Sequence, residues 1–458
     1  MKALCLAAAL AATAIAAPAF SAESAKPTLI VAISVDQFSA DLFNRYRPTF
    51  TGGLKRLADG VAFANGYQAH AATETCPGHS TILTGSHPAR TGIIANEWYD
   101  RNAARADKYI YCAEDERVPG STSDNYTPSV YHLKVPALGD RMKKADGQAR
   151  VVAVAGKDRA AIMMGGHAPD QRWFWKKDHF ISDIDADPAP VVAEVNRTVA
   201  AALAQARPAL TPPAMCAVHD KAVTVGAQTI GTGRFARAAG DTSNFARSPE
   251  FDGAVLAMAG ALFQQMGLGK SGHTDLLTVG LSATDYVGHA YGNDGMEMCL
   301  QMASLDADLA GFFSLLDRSG VDYAVVLTAD HGGMDAPERL AAQGVPDAAR
   351  VAEGATVDAI GAEVGRRLGL TGPVLTSDWY VATDVPATRR ADVLSLARQL
   401  LAAQPQVAEV YSAAQVAAHP LPTARPENWS TLDKLRASYD PQRSGDLLVI
   451  LKEHVSPI

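Results

Sequence analysis

The sequence predicts an α/β fold in which a mostly parallel sheet is sandwiched between helices. Two kinds of segment indicate it: short apolar runs typical of buried strands, and longer stretches with apolar residues at three- and four-residue spacing. Their alternation along the chain is typical of parallel sheets covered on both faces. The predicted strands are residues 28–35, 151–155, 276–281, 323–328 and 447–451.

The chain has 458 residues, 48% hydrophobic and 20% charged, which is the composition of an ordinary globular protein. The predicted helices are residues 190–206, 251–266, 300–316, 357–368 and 390–403. Residues 97–146 and 165–187 are irregular and polar. We interpret 97–146 and 165–250 as cap insertions over the carboxyl edge of the sheet, within one domain, 23–458. The aromatic run 173–175 is expected to pack within this cap; a substrate wall is the alternative.

Residues 1–22 are predicted to be a secretory signal peptide. Lys2 is followed by an apolar run to Ala16 and then by small residues up to Ala22. A membrane anchor is the alternative, but this run is shorter than the roughly 20 residues that a span needs. No later stretch is expected to be apolar enough to span a membrane. The mature protein is therefore expected to be soluble and either periplasmic or secreted.

The net charge argues against binding of nucleic acid or an anionic membrane, and the cysteine content predicts disulfide bonds. The formal net charge is −8, which gives no basic face for nucleic acid or an anionic membrane. Four cysteines remain after the signal, an even number in an oxidising compartment. They allow three pairings; sequence neighbourhood favours Cys76–Cys112 and Cys216–Cys299, and free buried thiols are the alternative. The sequence does not fix the oligomeric state, and a monomer is favoured.

Polar side chains follow four of the predicted strands at their carboxyl ends. In an open α/β sheet, ligands bind just beyond these ends, so the side chains are expected to converge on one site. Their types, carboxylate, imidazole and cation, indicate metal ligands beside groups that hold an anion. In strand order they are Asp36; Lys157 and Arg159; Asp285; and Asp330 with His331.

A helix N-terminus is predicted near Thr75. Pro77 suits the first turn of a helix, which places Thr75 beside free backbone N–H groups that favour a phosphate. The alternative is that Thr75 only caps the helix.

Two further motifs follow strands. Asp285 and His289 are spaced to meet on one side of a helical turn. Asp330 and His331 can aim at one metal if Gly332-Gly333 permits a sharp backbone turn. Taken singly, each motif has another explanation: a strand-end Asp that caps a helix, or a His satisfied in a polar pocket. Lys157 and Arg159 alone would fit a solvated loop.

Together, the runs Thr-Cys-Pro-Gly-His (75–79), Asp-x-x-x-His (285–289) and Thr-Ala-Asp-His-Gly (328–332) resemble the alkaline phosphatase superfamily. They are most similar to its threonine-nucleophile branch, with phosphodiesterase/nucleotide pyrophosphatase-like architecture, and within it to secreted bacterial alkaline phosphatases that carry Lys-x-Arg at 157–159. The resemblance runs from about Pro27 to the end. Sulfatases of the superfamily need a Cys-x-Pro-x-Arg run, which this chain lacks at Cys76.

The resemblance implies hydrolysis of small-molecule phosphate monoesters at alkaline pH through a phosphothreonine. It implies two Zn²⁺ per chain and leaves an additional Ca²⁺ or Mg²⁺ open. The alternatives are a phosphodiesterase/nucleotide pyrophosphatase and a non-catalytic phosphate- or metal-binding protein. The implied first-zinc ligands are Asp36, Thr75, Asp330 and His331, the second-zinc ligands Asp285 and His289, and the phosphate ligands Asn96, Lys157 and Arg159.

The implied second zinc has only two protein ligands, whereas a catalytic zinc usually has three. The family supplies the third from a Thr-His-Gly motif near the C-terminus, and this sequence has none. His419 and His454 are the late histidines, and neither has that context. We therefore interpret the sequence as lacking the end of the domain; a family member that has lost one ligand is the alternative. In either case the chain is expected to bind its second zinc weakly and to turn over poorly.

Overall fold

The computed structural model describes residues 26–63, 66–184 and 190–457. The predicted signal peptide lies outside the described residues. A six-stranded sheet forms the centre, with strand order β6-β1-β5-β2-β3-β4. Only the β3–β4 pairing is antiparallel. In chain order, β1 to β6 are Leu29–Val35, Val151–Ala155, Gln171–Lys176, His179–Ile181, Asp275–Leu281 and Tyr323–Thr328.

Sixteen α-helices lie within the described residues. In chain order, α1 to α16 are Ala40–Tyr46, Gly53–Ala58, Thr75–Ile82, Pro88–Thr91, Leu138–Ala145, Asp158–Gly165, Pro190–Leu203, Thr242–Ala246, Pro249–Met266, Ala283–Tyr291, Met296–Arg318, Pro337–Ala342, Val357–Leu368, Arg390–Ala402, Ala413–Ala418 and Thr431–Ser438. Five of them confirm the predicted helices, with ends displaced by four residues or fewer.

Short ladders complete the described structure. They pair Glu97–Tyr99 with Tyr109–Tyr111, Val223–Val225 with Gln228–Ile230, Ala349–Arg350 with Val455–Ser456, Leu375–Thr376 with Tyr380–Val381, and Val407–Ser412 with Leu447–Leu451. The last of these strands confirms the predicted strand 447–451.

The core lies on both faces of the sheet. Alternate residues of β1 point to opposite faces, as a strand requires. Val31 and Ile33 join the larger apolar cluster with helices α9 and α11, whereas Ala32 packs with Leu138 of α5 on the other face. Burial on both faces explains why the central strands are continuously apolar rather than alternating. The predicted α/β sandwich is therefore confirmed.

The structure differs from the expectation for residues 165–187. Two segments there, β3 and β4, extend the central sheet instead of belonging to a cap. The aromatic run lies in β3, with Trp173 2%, Phe174 0% and Trp175 9% exposed, so it packs in the core. The interpretation failed because aromatic residues between polar neighbours are also typical of an edge-side strand. The cap boundaries elsewhere stay a prediction.

Helix α11 is long and apolar enough to cross a membrane, with a mean hydropathy of 1.2, contrary to the sequence interpretation. More than half of its most apolar window is buried inside the protein. Leu305, Leu309 and Phe313 pack in the larger core cluster with α9. These contacts identify α11 as a core helix.

Both predicted disulfides are present. Cys76 is bonded to Cys112, with their Cα atoms 6.5 Å apart, and Cys216 is bonded to Cys299, with Cα atoms 5.6 Å apart. The first joins helix α3 to the ladder at Tyr109–Tyr111, and the second joins the 3₁₀ segment Ala214–His219 to α11. The free-thiol alternative is wrong for this structure.

Helix α3 lies unusually close to the residue that follows β6. A Cβ atom at Gly78 would come within 2.7 Å of the Asp330 backbone carbon and closer still to its carbonyl oxygen. A backbone obstacle cannot rotate away, so only glycine fits at this position. The helix and the strand end are thereby held in contact.

We predict that Gly78→Ala lowers the free energy of unfolding by about 1–3 kcal/mol, the usual cost of overpacking a buried site. Gly147→Ala is the matched control, because nothing lies within 4 Å of a Cβ there. Chemical denaturation of both variants measures the difference. Equal stability of the two would show that the contact between α3 and Asp330 is looser than described.

Candidate metal centre and nucleophile

The site lies at the carboxyl ends of four neighbouring parallel strands, β6, β1, β5 and β2. Asp330, Asp36, Asp285 and Lys157 follow these strands, and each is at most 3% exposed. The predicted convergence is confirmed for these four residues. Parallel strands deliver it because their carboxyl ends meet at one edge of the sheet.

The first group of donors is Asp36, Asp330 and His331, whose ligand atoms all lie within 4.8 Å of one another. The His331 Nε2 atom is 3.3 Å from Asp36 Oδ1 and 3.4 Å from Asp330 Oδ2. Asp36 Oδ1 and Asp330 Oδ2 are buried and accept no hydrogen bond of regular geometry. Two buried carboxylate oxygens without hydrogen-bond partners, together with an imidazole, form a ligand set that suits a divalent cation such as zinc.

The second pair, Asp285 and His289, is one turn apart on α10. Their Oδ1 and Nε2 atoms are 3.2 Å apart, so the predicted spacing does bring them together. The His289 side chain is 67% exposed. The pair adjoins the first group, because His331 Nε2 is 3.9 Å from Asp285 Oδ1.

No other group of three such donors exists within residues 26–63, 66–184 and 190–457. The late histidines do not complete the second pair. The imidazole of His419 binds Asp433 at 2.8 Å, and that of His454 lies 3.7 Å from Glu453.

Thr75 is the first residue of α3, and its side chain is buried with 2% of the residue exposed. Glu74 occupies the N-cap position, so the alternative that Thr75 only caps the helix is wrong. The Thr75 hydroxyl oxygen is 3.3 Å from Lys157 Nζ. Its placement at the helix start beside an ammonium group favours a negative charge on that oxygen.

Lys157 lies between two carboxylates. Its Nζ atom is 2.7 Å from Asp36 Oδ2 and 2.5 Å from Asp285 Oδ2. Burial by itself lowers the pKa of Lys157, but the charges of Asp36 and Asp285 outweigh burial and raise the pKa above its usual value. The side chain is therefore a fixed positive charge in contact with both donor groups, a position that the sequence did not predict.

Electrostatics within the first group follow the same logic. Burial lowers the pKa of His331, but the adjacent carboxylates of Asp36 and Asp330 raise the pKa to about 9. Burial raises the pKa of Asp330, yet the charge of the adjacent His79 brings the pKa well below its usual value. The Asp330 carboxylate therefore stays ionised and favours positive charge at the site.

Asn96 contacts the residue that follows the nucleophile, and Arg159 contacts Tyr111. The Asn96 Oδ1 atom accepts a hydrogen bond from the Cys76 N–H at 2.8 Å, so its NH₂ group is the part left to donate to an anion. The backbone N–H of Asn96 donates to Glu74. Arg159 donates through Nη1 to the Tyr111 hydroxyl at 3.2 Å, and its buried Nε has no hydrogen-bond partner.

Gln37 and His79 are part of the site although sequence reasoning gave them no role. Gln37, in the left-handed region at φ 64°, donates from its backbone to Asp330 and from its amide to Asp285, both at 3.0 Å. The His79 Nδ1 atom lies 2.9 Å from the Thr75 carbonyl and 3.1 Å from Asp330 Oδ2. Their positions next to Asp36 and within the Thr75 motif were the available signals.

The pair Gly332-Gly333 was expected to permit a sharp backbone turn, but the structure indicates a steric role for Gly333. Neither glycine adopts a positive φ, so the left-handed backbone that would require glycine does not occur at either residue. A Cβ at Gly333 would lie 2.5 Å from the Gln37 side-chain carbon Cδ, and one at Gly288 would overlap the same amide. Gly333 and Gly288 therefore leave room for the Gln37 side chain between the two donor groups.

Comparisons with known proteins agree with this geometry. The model of the family described as type I phosphodiesterase / nucleotide pyrophosphatase matches residues 30–458. The chain is 52% identical over 440 residues to alkaline phosphatase PhoK of Sphingomonas sp., covering 94% of this chain and 79% of that protein. It is 48% identical over 442 residues to alkaline phosphatase PhoD of Zymomonas mobilis subsp. mobilis, covering 94% and 76%.

The fold is similar to the crystal structure of wild-type alkaline phosphatase PafA. The TM-score is 0.81 at 26% sequence identity, and the match covers 94% of this chain and 86% of that one. Because the family model spans nearly the whole chain and both sequence relatives exceed 30% identity, the resemblance found from the motifs is confirmed. The chain belongs to the type I phosphodiesterase / nucleotide pyrophosphatase family, in the branch that includes the alkaline phosphatases PhoK, PhoD and PafA.

Proposed function

We propose that this protein is a zinc-dependent alkaline phosphatase that hydrolyses phosphate monoesters through a covalent phosphothreonine at Thr75. The observation that carries the proposal is the buried Thr75 hydroxyl, 3.3 Å from Lys157 Nζ, which itself contacts both carboxylate groups. The names of PhoK and PhoD support the reaction class. The predicted signal peptide supports a periplasmic or secreted enzyme.

In this proposal Asp36, Asp330 and His331, together with Thr75, would hold one zinc ion. Asp285 and His289 would hold the other. When bound, such a pair of ions would supply a deprotonated nucleophile and charge stabilisation for the leaving oxygen. The buried, underused oxygens of Asp36 and Asp330 support this assignment.

The chain's own residues account for the remaining chemistry. The Thr75 oxygen loses its proton and attacks phosphorus, the Oγ1–P bond forms, the ester P–O bond opposite it breaks, and the leaving oxygen takes up a proton and departs as the alcohol. Lys157 stabilises the attacking oxygen as an anion. A water molecule then attacks phosphorus, the Oγ1–P bond breaks, and inorganic phosphate leaves while Thr75 regains its proton. The Asn96 amide and the Arg159 guanidinium orient the non-bridging oxygens throughout.

Charge supports a monoester substrate over a diester. A phosphate monoester dianion has one more unesterified, charged oxygen than a diester. Lys157 and Arg159 provide two fixed cations that match this additional charge. A diester would instead need an apolar surface for its second organic group. The cap segments 97–146 and 190–250 are proposed to border this substrate region. The physiological partner in this proposal is a small phosphate ester.

We expect Thr75→Ala to lower the turnover of an aryl phosphate by at least about 10³-fold, because the covalent path is lost. Zinc content should stay largely intact, since most donors remain. Thr81→Ala, the same change in the same helix, is the control: its hydroxyl only bonds the Gly78 carbonyl at 2.8 Å. Steady-state kinetics and metal analysis measure both. Wild-type turnover in Thr75→Ala would rule Thr75 out as nucleophile.

A double change, Lys157→Ala with Arg159→Ala, is expected to lower monoesterase activity much more than diesterase activity. The reason is that the lost cations match the extra charge of the monoester. Both activities are measured with one aryl leaving group, so that leaving-group chemistry cancels. Equal losses would favour the phosphodiesterase alternative.

Asp330→Asn is expected to lower the zinc bound per chain, because an amide replaces a buried anionic ligand. His273→Asn is the control, since His273 lies before β5, at the opposite end of the strands, and pairs with Asp146. Equilibrium dialysis followed by elemental analysis gives the stoichiometry. Unchanged zinc in Asp330→Asn would contradict the assignment and favour a metal-independent site.

A further inference from the structure

The guanidinium of Arg159 is held on one side by the hydroxyl of Tyr111. The Arg159 Nη1 atom donates to Tyr111 Oη at 3.2 Å, and Tyr111 Oη donates to Asp158 Oδ1 at 2.7 Å. Tyr111 is 5% and Asp158 is 8% exposed, so solvent competes little for these bonds. The same Asp158 oxygen also accepts from the Arg159 backbone N–H at 2.7 Å.

The direction of these hydrogen bonds is fixed by chemistry. An ionised carboxylate only accepts and a guanidinium only donates, so the phenol must give its proton to Asp158 and present a lone pair to Arg159. Burial raises the pKa of Tyr111 well above its usual value, which keeps the phenol protonated. Tyr111 therefore links an anion and a cation in one defined orientation.

The backbone at Tyr111 is tied to the nucleophile. Cys112 follows Tyr111 and is bonded to Cys76, which follows Thr75. The N–H of Cys112 donates to the Asn96 carbonyl at 2.8 Å, and the N–H of Cys76 donates to the side chain of the same asparagine. The Tyr111 hydroxyl is thus set at a fixed place relative to Thr75 and Asn96.

The bond to Tyr111 leaves one edge of Arg159 for a ligand. Nη1 donates to Tyr111, whereas Nε is buried and has no hydrogen-bond partner among the described residues. The Nε–Nη2 edge is one of the two edges through which arginine binds two oxygens of a phosphate at once. We propose that Tyr111 is a positioning residue that turns this edge of Arg159 toward the substrate phosphate. This inference rests on the proposed function, because the role of Arg159 as a phosphate ligand is itself proposed there.

Tyr111→Phe tests the inference, with Tyr126→Phe as a matched control. Tyr126 also donates to Asp158, through Oδ2 at 2.5 Å, but does not bond Arg159. The zinc-loaded full chain is used, and the readouts are the affinity for inorganic phosphate by calorimetry and the kcat and KM for an aryl phosphate. We expect Tyr111→Phe to weaken phosphate affinity and lower kcat/KM by about tenfold, the size typical of a bond to a charged group. Tyr126→Phe should stay within about twofold.

A double-mutant cycle separates positioning from general damage. In an Arg159→Ala background, Tyr111→Phe should cause no further loss of phosphate affinity, because the group it positions is gone. Thermal unfolding of every variant confirms that the fold is retained. Equal losses with and without Arg159, or an equal loss in Tyr126→Phe, would overturn the role of Tyr111.

The two proposals fail in different ways. If Arg159→Ala leaves phosphate affinity unchanged, the proposed phosphate contact of Arg159 is wrong, and the role of Tyr111 falls with it. If Arg159→Ala weakens phosphate binding while Tyr111→Phe does not, the phosphate contact stands and only the positioning role is wrong.

Discussion

Three buried carboxylates at one edge of the sheet set the constraint on which the site depends. Asp36, Asp285 and Asp330 are at most 3% exposed, and burying an ionised carboxylate costs several kcal/mol unless positive charge compensates it. Lys157 contacts two of the three, and His79 and His331 contact the third. One ammonium group and two imidazoles compensate the negative charge of the three carboxylates only in part. The arrangement therefore favours the binding of divalent cations. The fold buries three carboxylates at the strand ends, and this burial is itself the reason that the site favours metal binding.

The backbone brings these charges together through close packing. Gly78 lets α3 approach the backbone at Asp330, and Gly288 and Gly333 leave room for the Gln37 amide. Gln37 then joins the two donor groups by bonding both Asp330 and Asp285. A larger residue at any of the three glycines would separate parts of the site that have to stay within a few ångströms. Small residues near strand ends thus have an electrostatic consequence as well as a steric one.

Sequence reasoning located the strand-end residues because their position depends only on strand identity and parallel order. Asp36, Asp285 and Asp330 needed no knowledge of loops, and the i, i+4 spacing of His289 was enough to bring it to Asp285. Strands β3 and β4 were missed because their polar flanks resemble those of a cap segment. Gln37 and the purpose of Gly333 depend on side chains from distant segments meeting in three dimensions. No local pattern encodes such a meeting, so periodicity and motif spacing could not have found it.

The Cys76–Cys112 bond connects the anion-holding groups to the nucleophile through covalent structure. Asn96 accepts from the backbone of both cysteines, one bond through its side chain and the other through its carbonyl. Thr75 precedes one of the cysteines and Tyr111 precedes the other, so a shift of either segment would displace Asn96 from its place beside the helix start. Such a cross-link persists only in an oxidising environment. The proposed export of the protein therefore matters for the site. In an oxidising compartment the disulfide persists and holds Thr75, Asn96 and Tyr111 in their relative positions.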